Sequence, residues 1–384
     1  MFRTRFGGER NFVPVPEGRE GLVRLRTPDW GRMDDPQATK LKATWIGHAS
    51  WLIETPTSQG NADGPGQFLG FGDSPKLTSP SKASRGVRIL FDPLFAERTS
   101  PVKWAGPKRY TPTPCTVAEL PRIDIVAVSH NHYDHTCIET IKELMMIQTD
   151  IHFLCALGNK DWFLTLGAGI KDGQVTELDW WNGVKVNVEG VGSVELTCTP
   201  AQHFSGRGVW DHGKTLWCSW VLHTDAVMVS PVQKHDFEAA VPEHSNTNST
   251  RKLFFAGDTG YRYISSANPT PEEEAAAPHC PAFSHIGDAF GPFDLALLPI
   301  GLYSPRMVLS SVHCAPEDTV CLHRDIKSKR SIGMHYGTVR GGLSAQYEDV
   351  REPPRRFKEA CEKAGLKWGE EVGLCDIGET VVIA

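Results

Sequence analysis

The sequence contains no apolar run approaching the ~18–20 residues that a helix needs to cross a bilayer. Any membrane contact is therefore expected to be peripheral. Its ten cysteines form no CxxC pair, so a zinc knuckle or a dithiol redox site is not indicated. They read instead as reduced thiols, many of them buried, in an intracellular protein. No strongly basic block stands out. Forty Lys and Arg are mixed with 46 Asp and Glu, for a net charge of −6, which argues against a nucleic-acid binder that works by phosphate neutralisation. The opening segment MFRTRFGGERNF carries arginines but no continuous apolar stretch of the secretory-signal kind. A cytoplasmic location, or a peripheral one on a membrane, is expected, and the arginines leave mitochondrial import open. Asn248-Ser249-Thr250 matches a glycosylation sequon, taken as chance in the absence of a signal.

What is present suits a folded α/β protein. The chain has 384 residues, 40 % of them hydrophobic and 22 % charged, enough to bury a large core without disulfides. Residues 1–38 are rich in Arg, Pro and Gly and read as an arm over the surface, leaving residues 39–384 as the main domain. That domain opens at LKATWIGHASWLIE, a strand pair joined near Gly47. Two stretches, about 56–84 and 235–251, are dense in turn-forming or polar residues and read as loop insertions. A third, Ala267 to His279, reads as a surface loop with a solvated run of glutamates. Short apolar runs of β-branched residues recur in VRILFDPLF, IDIVAVSHNHYDH, VELTCTPAQH, KLFFAGDTG, DLALLPIG and RSIGMHYG, and their length favours strands over helices. Helices are expected over Thr136–Gln148 and Pro316–Lys327, the second with a Pro-Glu-Asp start suited to a helix N-terminus. The strands fall into two sets, before and after about residue 230, which predicts two sheets packed face to face with helices outside.

Four of those runs end on a metal-ligand type. SHNHYDH places His130, His132, Asp134 and His135 directly after a strand. In extended chain His130 and His132 face the same way, because side chains repeat every two residues. A lone histidine is ordinarily a surface or hydrogen-bonded core residue; three with an aspartate in six positions are not readily explained so. His203, Asp258 and His335 also stand at strand ends, where one rim of a sandwich can gather them. Imidazole and carboxylate suit Zn²⁺ and other divalent transition metals. The expected division is His130, His132 and His203 on one ion and Asp134, His135 and His335 on a second. Asp258, between small neighbours, is the bridge.

At this point the residues resemble the metallo-β-lactamase superfamily, whose signature is HxHxDH. The ordered set TWIGHAS, FDPLF, SPVKWAGPKRYTPTPC, SHNHYDH, ELDWW, TPAQHFSGR, FFAGDTGY, GPFDLALLPIGLYSPR, VHCAPEDTV and GMHYGT is similar, more specifically, to the N-acylphosphatidylethanolamine-hydrolysing phospholipase D family. The resemblance implies an α/β fold of αββα type, a sandwich of two mixed sheets with outer helices. It implies two zinc ions on the seven ligands above, and a hydroxide formed at the metals that attacks phosphorus to release an N-acylethanolamine and leave phosphatidic acid. It also implies His313 beside the substrate phosphate, a donor to a phosphate or leaving-group oxygen, and Tyr133 facing substrate. The catalytic set is then Asp134, Asp258 and His313.

Further residues carry two readings each. Asp92 is either a partner that orients a ligand imidazole or a turn residue before Pro93. His48 either approaches the site or packs, and His313 either serves phosphate or caps the helix after it. Trp180 and Trp181 either flank an acyl channel or belong to the core. Lys108 and Arg109 either meet anionic lipid or are solvated. The rival functions are a lactonase or esterase on the same scaffold, a hydrolase of small phosphorylated compounds, a di-iron redox protein, and a non-catalytic metal binder. The expected partner is a phospholipid, with no nucleic acid; the sequence leaves the oligomeric state open, a homodimer included.

Overall fold

A computed structural model describes residues 14–35, 38–57, 76–77, 85–224, 250–266, 269–342 and 344–383. Most of both expected insertions and the first part of the arm lie outside these residues. Within the arm, Arg19 donates to Tyr110 O at 3.2 Å, and Arg26 pairs with Asp376 at 2.7 Å.

Two mixed sheets carry the fold. Numbered along the chain, the first has seven strands in the order β17 (Thr380–Ile383), β1 (Leu41–Gly47), β2 (Ser50–Glu54), β4 (Arg88–Phe91), β6 (Ile125–Ala127), β7 (His152–Ala156) and β8 (Val175–Leu178). The second has eight: β16 (Val372–Gly373), β14 (Ser331–Met334), β13 (Leu295–Pro299), β12 (Lys252–Phe255), β11 (Ser219–Thr224), β10 (Gly192–Thr199), β9 (Gly183–Val188) and β3 (Lys76–Leu77). A small ribbon pairs β5 (Lys108–Arg109) with β15 (Val339–Arg340).

Strand alternation explains why the first sheet is apolar on both faces. Trp51, Ile53, Ile89, Phe91, Ile125, Ala127, Leu154 and Ala156 point into the core shared with the second sheet. Their neighbours Leu52, Leu90, Val126, Phe153 and Cys155 point the other way, against α1 (Ile138–Ile147) and α2 (Lys160–Thr165). Parallel strands covered on both faces read as continuous apolar runs rather than alternating ones. Phe91 stacks on Phe255 across the sandwich at 4.5 Å, each ring contributing about 1.5–3 kcal/mol by burial. On the second sheet, α4 (Ala282–Phe290), α6 (Pro316–Asp325) and α8 (Glu352–Lys363) bring Phe283, Val320 and Phe357 into the core. The layering is therefore αββα. All ten cysteines are free, and seven are buried. Among the described residues no helix is long and apolar enough to cross a membrane.

Two expectations need correction. The sheets do not divide at about residue 230. Strands β9, β10 and β11 already belong to the second sheet, because β11 pairs antiparallel with β12 in the register Trp220↔Phe255, and β17 returns to pair with β1. Likewise Ala267 to His279 is not wholly loop: α3 (Pro271–Ala276) lies within it, its start closed reciprocally by Thr270 and Glu273. Glu274 is drawn out of the solvated glutamate run by an ion pair with Arg306 at 3.2 Å.

Candidate metal centre

Every candidate ligand follows the C-terminal end of a strand, and the two sheets present those ends at one rim. The loop 128–135 leaves β6, His203 lies beyond β10, Asp258 follows β12, and His335 follows β14. Local backbone aims them. Gly257 holds φ +59°, and a Cβ there would lie 2.6 Å from Ser129 Cβ, so only glycine lets the Asp258 turn approach the histidine loop. The hairpin joining β1 and β2 turns through Gly47 and His48, both at positive φ.

The side chains converge. His130 Nε2 lies 2.8 Å from His132 Nδ1, and His203 Nε2 lies 3.3 Å from the same atom. Asp258 sits between the two halves, with Oδ2 3.1 Å from His135 Nε2 and Oδ1 2.9 Å from His335 Nε2. Its Oδ2 is also 3.8 Å from His203 Nε2. Four groups emerge whose donor atoms could each share an ion: His130, His132 and His203; His48, Asp134, His135 and His335; His130, His135 and Asp258; and His203, Asp258 and His313.

Outward hydrogen bonds fix which nitrogen faces inward. His135 Nδ1 donates to Asp92 Oδ2 at 2.7 Å, and His203 Nδ1 donates to Val312 O at 2.8 Å. Each leaves Nε2 directed at the cluster. Inside, His135 Nε2 and His335 Nε2 meet the Asp258 carboxylate at 3.1 and 2.9 Å as charge contacts outside hydrogen-bond geometry. His313 Nδ1 is buried with no hydrogen-bond partner among the described residues, an arrangement an ion would satisfy better. Electrostatics point the same way. Burial alone would raise the Asp258 carboxyl, yet His135 and His335 beside it outweigh that and hold it well below the carboxylate range. Burial opposes charge on His135, but Asp258, Asp134 and Asp92 raise its pKa well above the ordinary histidine value. Burial, with other histidines alongside, keeps His130 and His203 neutral, the form that binds a metal. Neutral imidazoles at His130 and His203, beside an Asp258 carboxylate that draws positive charge, fit divalent cations.

A model of the β-lactamase superfamily domain matches residues 87–231 and 245–336, more than half the chain and all seven candidate ligands. The chain belongs to the metallo-β-lactamase superfamily. An N-acyl-phosphatidylethanolamine-hydrolyzing phospholipase D 1 of Caenorhabditis elegans is 31 % identical over 324 residues, covering 84 % of this metallo-β-lactamase-fold chain and 71 % of the worm protein. A mitochondrial N-acyl-phosphatidylethanolamine-hydrolyzing phospholipase D of Saccharomyces cerevisiae is 31 % identical over 283 residues, 73 % of this chain but only 50 % of the yeast protein. Igni18, a metallo hydrolase of Ignicoccus hospitalis, shares the fold at a TM-score of 0.50 and 20 % identity, covering 90 % of this chain and 99 % of its own. Family and relatives together support a hydrolase.

Around the centre of this metallo-β-lactamase-fold hydrolase, the remaining candidates separate. Asp92 does both things the sequence offered: it turns the chain at φ 40°, and its carboxylate accepts from Ser129 N, Ser129 Oγ and His135 Nδ1. His48 comes to the site, with Nε2 2.9 Å from Asp134 Oδ2 and its ring 4.1 Å from that of His335. His313 also faces the cluster, Nδ1 3.9 Å from Asp258 Oδ2, and burial lowers its pKa to about 3. Tyr133 lines a cleft of about 240 Å³ beside the cluster, together with His132, Asp134, His335, Tyr110 and Arg340. Trp180 and Trp181 pack on the core instead, Trp180 donating to Trp217 O at 2.6 Å and Trp181 stacking on Phe290. Lys108 is exposed and pairs with Glu97 at 2.8 Å. Arg109 is not solvated; its guanidinium turns inward to Leu94 O at 2.6 Å.

The sequence reading passed over Arg207. It stands four residues after His203, lies 3.9 Å over the Tyr133 ring, and donates to Asn131 O at 2.8 Å and Thr136 O at 2.9 Å. It thereby ties the His203 loop to the histidine loop. Its position inside TPAQHFSGR was the available signal, but a lone arginine in a loop has no periodicity to mark it.

Proposed function

We propose that the chain is a binuclear metal phosphodiesterase of the phospholipase D type, hydrolysing N-acylphosphatidylethanolamine-like phospholipids to an N-acylethanolamine and phosphatidic acid. One observation carries the reading: Asp258 lies within 3.1 Å of both His135 and His335 and within 3.8 Å of His203, and His132, Asp134 and His335 of the same cluster line a cleft. His130, His132 and His203 would hold one Zn²⁺ or similar ion and Asp134, His135 and His335 another, with Asp258 reaching both. When bound, such a pair lowers the pKa of water towards neutrality and offsets charge developing on phosphate oxygens.

The chain's own residues supply the rest. Asp92 holds the His135 ring in one tautomer, and His48 holds the Asp134 carboxylate, so the two positions are set before substrate arrives. His313 is neutral in its buried setting, and a neutral imidazole still carries one N–H. Its role is to donate that hydrogen bond to a phosphate or leaving-group oxygen, a contact that strengthens as charge builds there. Tyr133 and Arg340 form the cleft wall that faces the phosphodiester. The names of the worm and yeast relatives support this substrate class over a lactone or a small phosphate ester.

The test is product analysis by mass spectrometry, after metal-replete protein is incubated with mixed phospholipids and, separately, with lactones and water-soluble esters. N-acylethanolamine and phosphatidic acid are expected in equal amounts. Intact lipid alongside opened lactones would replace this reading with the lactonase one.

A further inference from the structure

We propose that the cleft rim docks on an anionic lipid bilayer through two tryptophan-tipped turns, carrying Trp104 and Trp210. The proposal rests on the phospholipase reading above and adds the surface that presents the substrate. Both turns are built beside the cleft. The first, between Thr99 and Tyr110, contributes Thr99, Pro107 and Tyr110 to its lining. The second follows His203, and its Arg207 lies over Tyr133, which lines the same cleft.

Each tip is pinned rather than loose. In the first turn Thr99 N donates to Pro107 O, Arg109 N to Glu97 O, and Arg98 Nη1 to Gly106 O. In the second, Gly213 N donates to Ser205 O, and the Asp211 carboxylate accepts from Arg207 N at 2.9 Å and Gly208 N at 2.7 Å. Such ordering ordinarily serves to bury apolar groups, yet here it holds them out. Trp104 is 81 % exposed, Val209 88 % and Trp210 88 %. The similarly exposed Met33 and Met146 do not lie on cleft-lining segments.

The chemistry of the tips selects the partner. Tryptophan is the side chain favoured at the boundary between lipid headgroups and acyl chains. The carboxylates of these turns are engaged, Glu97 with Lys108 and Asp211 with turn amides, whereas Lys103 and Lys214 stand exposed beside the tips. Basic residues flanking apolar ones suit an anionic headgroup layer. The cleft supplies a further reason: at about 240 Å³ it is smaller than the usual small-molecule pocket of about 300–1,000 Å³. That is room for a headgroup rather than for whole acyl chains, which suits a substrate presented by a bilayer.

The experiment is co-sedimentation of the metal-replete full chain with phosphatidylcholine vesicles, with or without phosphatidic acid, for wild type and the Trp104→Ala/Trp210→Ala double variant. Wild type is expected to bind the anionic vesicles, and the double variant to bind on the order of tenfold more weakly, since binding scales with inserted apolar area. Turnover of water-soluble bis(4-nitrophenyl) phosphate should be unchanged in the variant, which also shows that it folds. Lys103→Glu/Lys214→Glu should lose the preference for phosphatidic acid. Equal vesicle binding by wild type and the double tryptophan variant would overturn the proposal. So would a wild type that ignores vesicles but changes from dimer to monomer on tryptophan replacement, because the turns would then face a second copy. The underlying phospholipase reading fails separately: it falls if wild type releases no N-acylethanolamine from detergent-mixed micelles, where no bilayer docking is required.

Discussion

Asp258→Asn is expected to lower kcat on a phosphodiester by roughly a thousandfold or more, with the fold intact. The replacement keeps the shape of the side chain and removes its charge. Asp258 touches His135 at 3.1 Å and His335 at 2.9 Å, and it stands 3.8 Å from His203. No other carboxylate among the described candidate ligands reaches both halves: Asp134 is held on one side by His48 and lies 3.7 Å from His135 Nε2. The neutral amide would leave both cation positions short of a negative partner, so metal content should fall together with kcat. Far-UV circular dichroism, metal analysis and turnover on the same sample check this. Unchanged turnover with full metal content would remove Asp258 from the bridging role.

Chelation is the second large effect. Stripped protein should lose all measurable hydrolysis, regain it with Zn²⁺, and melt at a lower temperature. The stability change follows from mass action: an ion a thousandfold above its Kd that binds only the folded state contributes about 4 kcal/mol. The centre also gathers His130, His132, His135, His203 and His335 around one carboxylate, Asp258, with His135 and His335 held against it outside hydrogen-bond geometry, so losing the ions leaves these groups less well satisfied. Thermal unfolding before and after dialysis against chelator, with metal then restored, measures the difference. An identical melting curve in both states would mean that the cluster does not take up an ion in the folded protein.

The convergence of these side chains was legible in the sequence, for a physical reason. Parallel strands such as β6 and β14 are covered on both faces, so they appear as short apolar runs, and a polar residue that ends such a run sits at a sheet rim. His130, Asp258 and His335 stand out this way, His203 follows the antiparallel β10, and the structure brings all four together. Asp92 was visible through the same rule, but choosing between turn and partner needed the distance to His135. What stayed hidden is what depends on remote pairing. Nothing local in SWVLHT says that Trp220 will pair with Phe255, so β9 to β11 were assigned to the wrong sheet. The Thr270 cap of α3 was masked by a glutamate run that reads as solvated. Arg109 was read as lipid-facing or solvated and Arg207 was not singled out, for a related reason: an arginine tying backbone carbonyls together looks, in sequence, like one that faces water.

The most direct test of the account is metal stoichiometry with position: elemental analysis of the purified full chain, joined to anomalous diffraction at the metal edge. Two transition-metal ions per chain are expected, one against His130, His132 and His203, the other against Asp134, His135 and His335, with Asp258 contacting both. A metal-replete protein holding a single ion, or ions bound away from Asp258, would contradict it.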